Sequence, residues 1–219
     1  TLDRAGFFEV TQFSEDDKKR NEMYVANAQR EKAQVSYADY GEYLKSLEMK
    51  GEIQPFIPTY MSRISQLTNK SNQFNLTTKR YSQTEIEEAA EDPARITLYG
   101  KLGDKFGDNG VVSVVIGTMK DGQTGERSEL HIDLWIMSCR VLKRDMELAM
   151  MDELVAECQK RGIKRLVGYY YPTKKNGMVK DFYAMQGFEK VEEDNEGNTV
   201  WEYLIPSNYE EKNKFIEVN

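Results

Sequence analysis

Three strand-like segments follow one another with only turns between them, and a long amphipathic helix then leads into another strand. The three are residues 96–102, 111–116 and 130–137. Gly107-Asp108-Asn109-Gly110 reads as a hairpin turn between the first two, and a polar, glycine-containing turn precedes the third. The helix, residues 146–161, carries Met146, Ala149, Met150, Leu154, Val155 and Cys158 on one face, and Gly162 stops it. A strand meander followed by helix–strand alternation requires a mixed sheet with helices packed on it. The expected fold class is therefore α/β, with antiparallel and parallel strands together.

The remaining punctuation completes the order. Residues 52–54 form a short strand, Pro58 opens a helix through Ile64 and Leu67, and a helix over 83–91 ends at Asp92-Pro93. Beyond the long helix come a strand at 165–171, a helix at 179–185 and closing strands at 188–191 and 199–204. The body, residues 49–219, thus reads β-α-α-β-β-β-α-β-α-β-β. Residues 1–48 read as a helical appendage. Ser14, with Glu15, Asp16 and Asp17 behind it, caps a polar helix over 13–35 whose apolar stripe is Met23, Tyr24, Ala26 and Ala28. Tyr37, Tyr40, Tyr43, Leu44 and Leu47 mark a second helix over 37–48.

With 39% hydrophobic and 31% charged residues in 219, the chain can bury a core, and no apolar run reaches membrane-spanning length. A net charge of −7 argues against a general nucleic-acid binder. Neither a membrane nor a nucleic acid is an expected partner. Cys139 and Cys158 are the only cysteines and His131 the only histidine, which argues against a zinc site and against Ser-His or Cys-His chemistry. Asp104, Asp108 and Asn109 read as hairpin formers, so no metal is expected. No secretory signal is seen, a cytoplasmic location is expected, and the sequons at Asn69 and Asn75 read as chance matches. Thr at position 1 fits either removal of an initiator methionine or a segment of a longer protein.

One local pattern carries a resemblance. Asn176, Val179, Tyr183, Gly187 and Phe188 stand at the spacing of the second crossover of GCN5-related N-acetyltransferases, and the element order of the body is similar to theirs. The resemblance implies that fold, with coenzyme A or a carrier protein's phosphopantetheine as the cofactor group. It also implies that Asn176 caps a helix from which Tyr183 reaches an acyl thioester as general acid. Read from the residues alone, Tyr183 is an ordinary core tyrosine. In that superfamily a glycine-rich turn between the third body strand and the long helix grips the pyrophosphate. Here the stretch is Arg140-Val141-Leu142-Lys143-Arg144-Asp145, with Lys143 and Asp145 in place of both glycines. A carboxylate there repels a pyrophosphate, and side chains crowd its approach. The implied cofactor contacts are Met137, Ser138, Cys139, Arg140, Lys143, Arg144 and Asn176.

A narrower resemblance covers essentially the whole chain. Arg63-Ile64 and residues 69–81 (NKSNQFNLTTKRY), 104–110 (DKFGDNG), 138–142 (SCRVL) and 172–179 (PTKKNGMV) look like FkbH-like proteins, as does Ala5-Gly6-Phe7-Phe8-Glu9. Those proteins join a haloacid-dehalogenase-type (HAD subfamily IIIC) phosphatase domain to a C-terminal acetyltransferase-like domain. The resemblance implies transfer of a glyceryl group from 1,3-bisphosphoglycerate to the phosphopantetheine of an acyl carrier protein, supplying methoxymalonyl-type polyketide units. That loading belongs to the phosphatase-like domain, whose Asp-x-Asp signature this chain lacks. The implied partners are an acyl carrier protein and the phosphatase-like domain of the same longer chain.

The candidate residues admit two readings each. Asn69, Asn72, Gln73, Asn75, Thr77 and Arg80 either line a substrate pocket or form a hydrogen-bonded network. Arg140 either meets a phosphate or pairs with Glu147 or Asp133, and Cys139 reads as a buried structural cysteine. Residues 138–180 hold 10 Lys/Arg against 5 Asp/Glu. Lys143, Arg144, Lys160, Arg161, Lys164, Arg165, Lys174 and Lys175 could there face an acidic carrier protein, or simply solvent. Two functions follow. One is an acyltransferase-like domain that lays the phosphopantetheine arm along the third strand, and the Asn176–Tyr183 spacing favours it. The other is a non-catalytic module that docks a carrier protein or the phosphatase domain, and the Lys143/Asp145 turn favours it.

Overall fold

The computed structural model describes residues 15–121 and 127–219. Residues 5–9, the Ser14 cap and the turn before the third strand lie outside the described residues. In chain order the elements are α1 (Glu15–Val35), α2 (Tyr40–Ser46), β1 (Met49–Gln54), α3 (Met61–Lys70), β2 (Phe74–Asn75) and α4 (Gln83–Glu91). The meander follows as β3 (Arg95–Asp104), β4 (Gly107–Asp121) and β5 (Arg127–Met137). Then come α5 (Met146–Lys160), β6 (Arg165–Tyr170), α6 (Phe182–Met185), β7 (Glu189–Glu193), β8 (Thr199–Leu204) and β9 (Ile216–Val218).

Among the described residues the strands form one sheet in the order β7-β8-β6-β5-β4-β3-β1-β9, with β2 added to β5 off that path. The β5–β6 and β1–β9 pairs are parallel and the rest antiparallel, the mixed sheet that the element order predicts. The hairpin between β3 and β4 turns earlier than expected. Asp104 pairs with Gly107, and its Oδ1 accepts from Phe106 N at 2.9 Å, so Lys105-Phe106 make the turn. Residues 107–110 belong to the strand. Gly110, at φ 64°, sits where the register shifts, and Asn109 Nδ2 donates to Leu102 O at 3.1 Å.

The sheet is covered on both faces. On one face α5 and α2 pack over Leu98, Leu102, Val112, Val115 and Trp135, and Tyr43 and Leu44 of α2 with its C-cap Leu47 belong to this main core. A β-carbon at Gly100 would stand 2.2 Å from Met146 Cε and 2.6 Å from Met150 Sδ, so the α5 methionine ends fill the space that glycine leaves on β3. On the other face α3 and α4 place Ile64, Leu67 and Ile86 against Tyr99, Val114, Ile116, Leu134 and Ile136. Fully burying each such aliphatic side chain contributes about 1.5–3 kcal/mol. The C-terminal segment is fastened by Asp152 of α5, which accepts from Tyr209 Oη at 2.7 Å and from the backbone N–H groups of Lys212 and Asn213 at 2.9 and 2.8 Å. This brings the three-residue β9 beside β1. No helix of the described residues is long and apolar enough to cross a membrane.

Candidate functional site

Strand β5 leaves its parallel neighbour early. Only Glu129, Leu130 and His131 pair with β6, opposite Arg165, Leu166 and Val167. On the β4 side Ile116 faces Leu134 while Gly117 faces Ile132, so Asp133 is an extra residue and the strand is bulged there. A bulge bends its strand and increases the local twist, which carries residues 132–137 away from β6 and opens a wedge at the C-terminal ends of the two strands.

The chain fills this wedge itself. Phe74 and Asn75 pair antiparallel with Met137 and Ile136, Leu76 N donates to Trp135 O at 3.3 Å, and Thr77 Oγ1 donates to Asp133 O at 2.7 Å. On the far side Tyr171 N donates to Leu76 O at 2.9 Å, closing the gap just past β6. Phe74 and Trp135 both meet Phe182 edge-on, at 5.2 and 4.9 Å between ring centroids. The backbone groups that an extended guest would use along β5 are therefore engaged.

Tyr183 and Asn176 lie behind this plug. The Tyr183 ring rests over Gly168, where a β-carbon would stand 2.3 Å from it, and the side chain is completely buried. Among the described residues its hydroxyl makes no side-chain hydrogen bond, the Tyr169 backbone is its polar neighbour, and burial pushes the phenol well above its ordinary range. Asn176 does not cap a regular helix, because residues 177–179 form only a single 3₁₀ turn ahead of the four-residue α6. Its side chain is a tie instead. Nδ2 donates to Asn75 O and Tyr171 O, both at 2.9 Å, and Oδ1 accepts from Thr173 N at 2.7 Å. This asparagine joins the plug to the end of β6.

The amide-rich run supports the same segment. Asn69 Nδ2 donates to Ser65 O and Tyr81 O, Asn75 Oδ1 accepts from Thr78 N at 2.9 Å, and Arg80 bonds Thr68 O, Ser71 O and Asn72 Oδ1. Gln73 is exposed. Asn69, Asn72, Asn75, Thr77 and Arg80 are thus hydrogen-bonded within the fold.

Between β5 and α5 the turn keeps the shape of a glycine turn without glycines. Lys143 has φ 64° and Asp145 φ 60°, both left-handed, and Asp145 caps α5 with no side-chain hydrogen bond. Helices α1 and α2 lie over it. Tyr40 Oη donates to Lys143 O, and Arg144 is buried with Nη1 3.2 Å from Asp104 Oδ2. Asp104, its side chain fully buried, also holds Arg30 through Nε at 2.7 Å and Nη2 at 2.8 Å. Burial raises the carboxyls of Asp145 and Glu147, and the Asp145 charge adds to the shift of Glu147.

Next to the turn is a cavity of 970 Å³ between α1, α3 and the β3–β4 hairpin. Arg140 faces it. Its side chain bonds Ser138 Oγ and Met23 Sδ and makes neither carboxylate pairing considered from the sequence, with Glu147 or Asp133. Arg63, Lys70 and Arg30 also line the cavity, whereas none of the six amide-run candidates does. The sequence signal for Arg63 was its place in a family-like dipeptide; nothing marked Arg30.

Other candidates scatter. Cys139, expected to be buried, is exposed in the 3₁₀ turn Cys139–Val141 that follows β5, whereas Cys158 is buried and its thiol is pushed up to about 12 by that burial. Met137 is a core residue, and Ser138 accepts from Arg140 N at 3.4 Å. The basic run does not form one face. Lys160, Arg161, Lys164 and Arg165 gather at the start of β6, whereas Lys174 and Lys175 lie beyond its end, at the wedge mouth. Arg165 is paired with Glu129 and Glu202.

No family model matches the chain, and no curated protein matches it. Solved structures do. The GNAT domain of S. lividans PAT matches with a TM-score of 0.54 at 16% identity, over 69% of this chain and 89% of that one. Ard1 from Thermoplasma volcanium matches at 0.53 and 16%, over 72% and 99%. yncA, a putative acetyltransferase from Salmonella typhimurium solved with acetyl-CoA, matches at 0.53 and 11%, over 75% and 98%. The bulged β5, its parting from β6 and the helix that follows thus belong to a chain with the fold of the GNAT acetyltransferase domains.

Proposed function

We propose that this domain recognises a carrier-borne acyl thioester without transferring the acyl group. It is a GNAT-fold docking module for the phosphopantetheinylated carrier protein of an FkbH-like system, working beside a phosphatase-like domain that performs the loading. One observation carries this reading: residues 74–77 occupy the wedge and use the β5 backbone at Asp133, Trp135 and Met137. A coenzyme arm laid along β5 would have to displace four anchored residues. Docking from outside, at Lys174 and Lys175 beside the wedge mouth, asks for no such displacement, and the acidity of a carrier protein suits these exposed lysines.

A second reading is acyl transfer with the plug swung out. The Tyr183 hydroxyl, fully buried with no side-chain partner among the described residues, favours it, since it has hydrogen-bonding capacity left for a thioester sulfur. Calorimetric titration separates the two. The docking reading expects micromolar binding of a phosphopantetheinylated carrier protein, weakened by Lys174→Glu with Lys175→Glu, and no binding of acetyl-coenzyme A. Binding of acetyl-coenzyme A with turnover would establish the second reading in its place.

A further inference from the structure

The cavity between α1, α3 and the β3–β4 hairpin is lined by four cations, of which Arg63 and Arg140 have no carboxylate partner among the described residues. Arg30 and Arg144 share Asp104, and that carboxylate is fully used by them and by Phe106 N. Arg63 and Arg140 have no carboxylate among the described residues. Arg63 makes one long contact, Nη2 to Val111 O at 3.5 Å, and Arg140 touches only Ser138 Oγ and Met23 Sδ. The two guanidiniums feel each other: burial and then the Arg140 charge hold Arg63 below the ordinary arginine range. Lys70 adds a further charge, and of the two lining acids, Glu22 and Asp108, the latter is committed to Gly110 N at 2.7 Å. Four basic against two acidic side chains line the space among the described residues.

Like charges held together around a partly enclosed space favour an anion, and guanidiniums grip phosphate oxygens in pairs. The volume, 970 Å³, is that of a site for an organic molecule and far more than a bare phosphate needs. Ala26 and Phe106 supply apolar wall. We propose that this cavity binds an organic phosphate ester, with Arg63 and Arg140 on the phosphate oxygens and the carbon portion against Ala26 and Phe106. The ester has two possible sources, a small soluble phosphate or the phosphodiester of a carrier arm. The first does not depend on the docking function proposed above.

The test is calorimetric titration of the whole chain with glycerol 3-phosphate and, separately, with 4′-phosphopantetheine, at low and raised salt. At least one ester binds, more weakly as salt rises, and Arg63→Gln or Arg140→Gln weakens it by about tenfold or more. Lys160→Gln, at the far end of α5, leaves the affinity unchanged. Neither arginine has an ion-pair partner among the described residues, so the glutamine variants fold, and Arg63→Gln without ligand melts at or above the parent temperature. Binding of glycerol 3-phosphate without binding of any carrier would retain the site and remove the docking function. Silence from both esters, equal affinity in the glutamine variants, or a lower melting temperature for Arg63→Gln would overturn the proposal.

Discussion

Replacing Lys143 and Asp145 by glycine is expected to stabilise the protein. Both residues hold left-handed backbone, at φ 64° and 60°. That conformation costs a non-glycine residue about 1–2 kcal/mol. Glycine's greater freedom in the unfolded chain removes roughly 0.5–1 kcal/mol of the gain. Each substitution is then worth about 0.5–1 kcal/mol, and the pair about 1–2 kcal/mol. Few contacts are lost. Lys143 is exposed and it is its carbonyl that receives Tyr40 Oη, while Asp145 makes no capping bond and its carboxyl is raised by burial. Urea denaturation followed by far-UV circular dichroism should show a higher midpoint with an unchanged slope, and heating should show a melting temperature up by about 2–8 °C. A midpoint equal to or below the parent's would refute the strained-turn argument. The same variant carries a second readout. If coenzyme A binding appears in it and not in the parent, then the substituted turn, not the filled wedge, excludes the cofactor.

Three other perturbations have definite outcomes. Asn176→Ala leaves Asn75 O, Tyr171 O and Thr173 N without their side-chain partners, so it should cost about 3 kcal/mol or more in urea and expose residues 74–77 to proteolysis. Asp104→Ala strands two buried guanidiniums, so a loss of about 3–5 kcal/mol is expected, with α1 becoming sensitive to limited proteolysis. Glu147→Gln tests pH linkage. Burial raises the Glu147 carboxyl, so the folded state binds that proton more tightly than the unfolded state and Glu147 is destabilising once ionised. The parent should therefore gain stability as pH falls from neutral into the raised carboxylate range. The variant should be more stable than the parent at neutral pH and show a flatter profile. A variant profile parallel to the parent's would rule this out.

The sheet was legible because its cues are periodic and local. The meander and the face of α5 show as apolar alternation, and Gly162 as a stop. The hairpin turn was misplaced because Gly107-Asp108-Asn109-Gly110 has turn composition, while the Asp104 side chain sets the turn three residues earlier. The plug was hidden for a different reason. Phe74 and Asn75 are too short to read as a strand, and their place depends on a bulge at Asp133 that only the β4–β5 register reveals. The cap role of Asn176 was inferred from spacing, and the side chain instead bonds backbone brought from a hundred residues away. Arg140 was expected at the helix start and instead faces a cavity whose other wall, α1, looks from its sequence like an unattached polar helix.

The central claim is that the wedge between β5 and β6 is closed by the chain itself. Amide hydrogen exchange of Leu76, Met137 and Tyr171, with and without saturating acetyl-coenzyme A, tests it most directly. The account predicts slow exchange at Leu76 and Tyr171, unchanged by the coenzyme, because both N–H groups are bonded within the plug. Fast exchange in the free protein, or protection lost on adding acetyl-coenzyme A, would mean that the wedge opens to the cofactor, and would contradict the account.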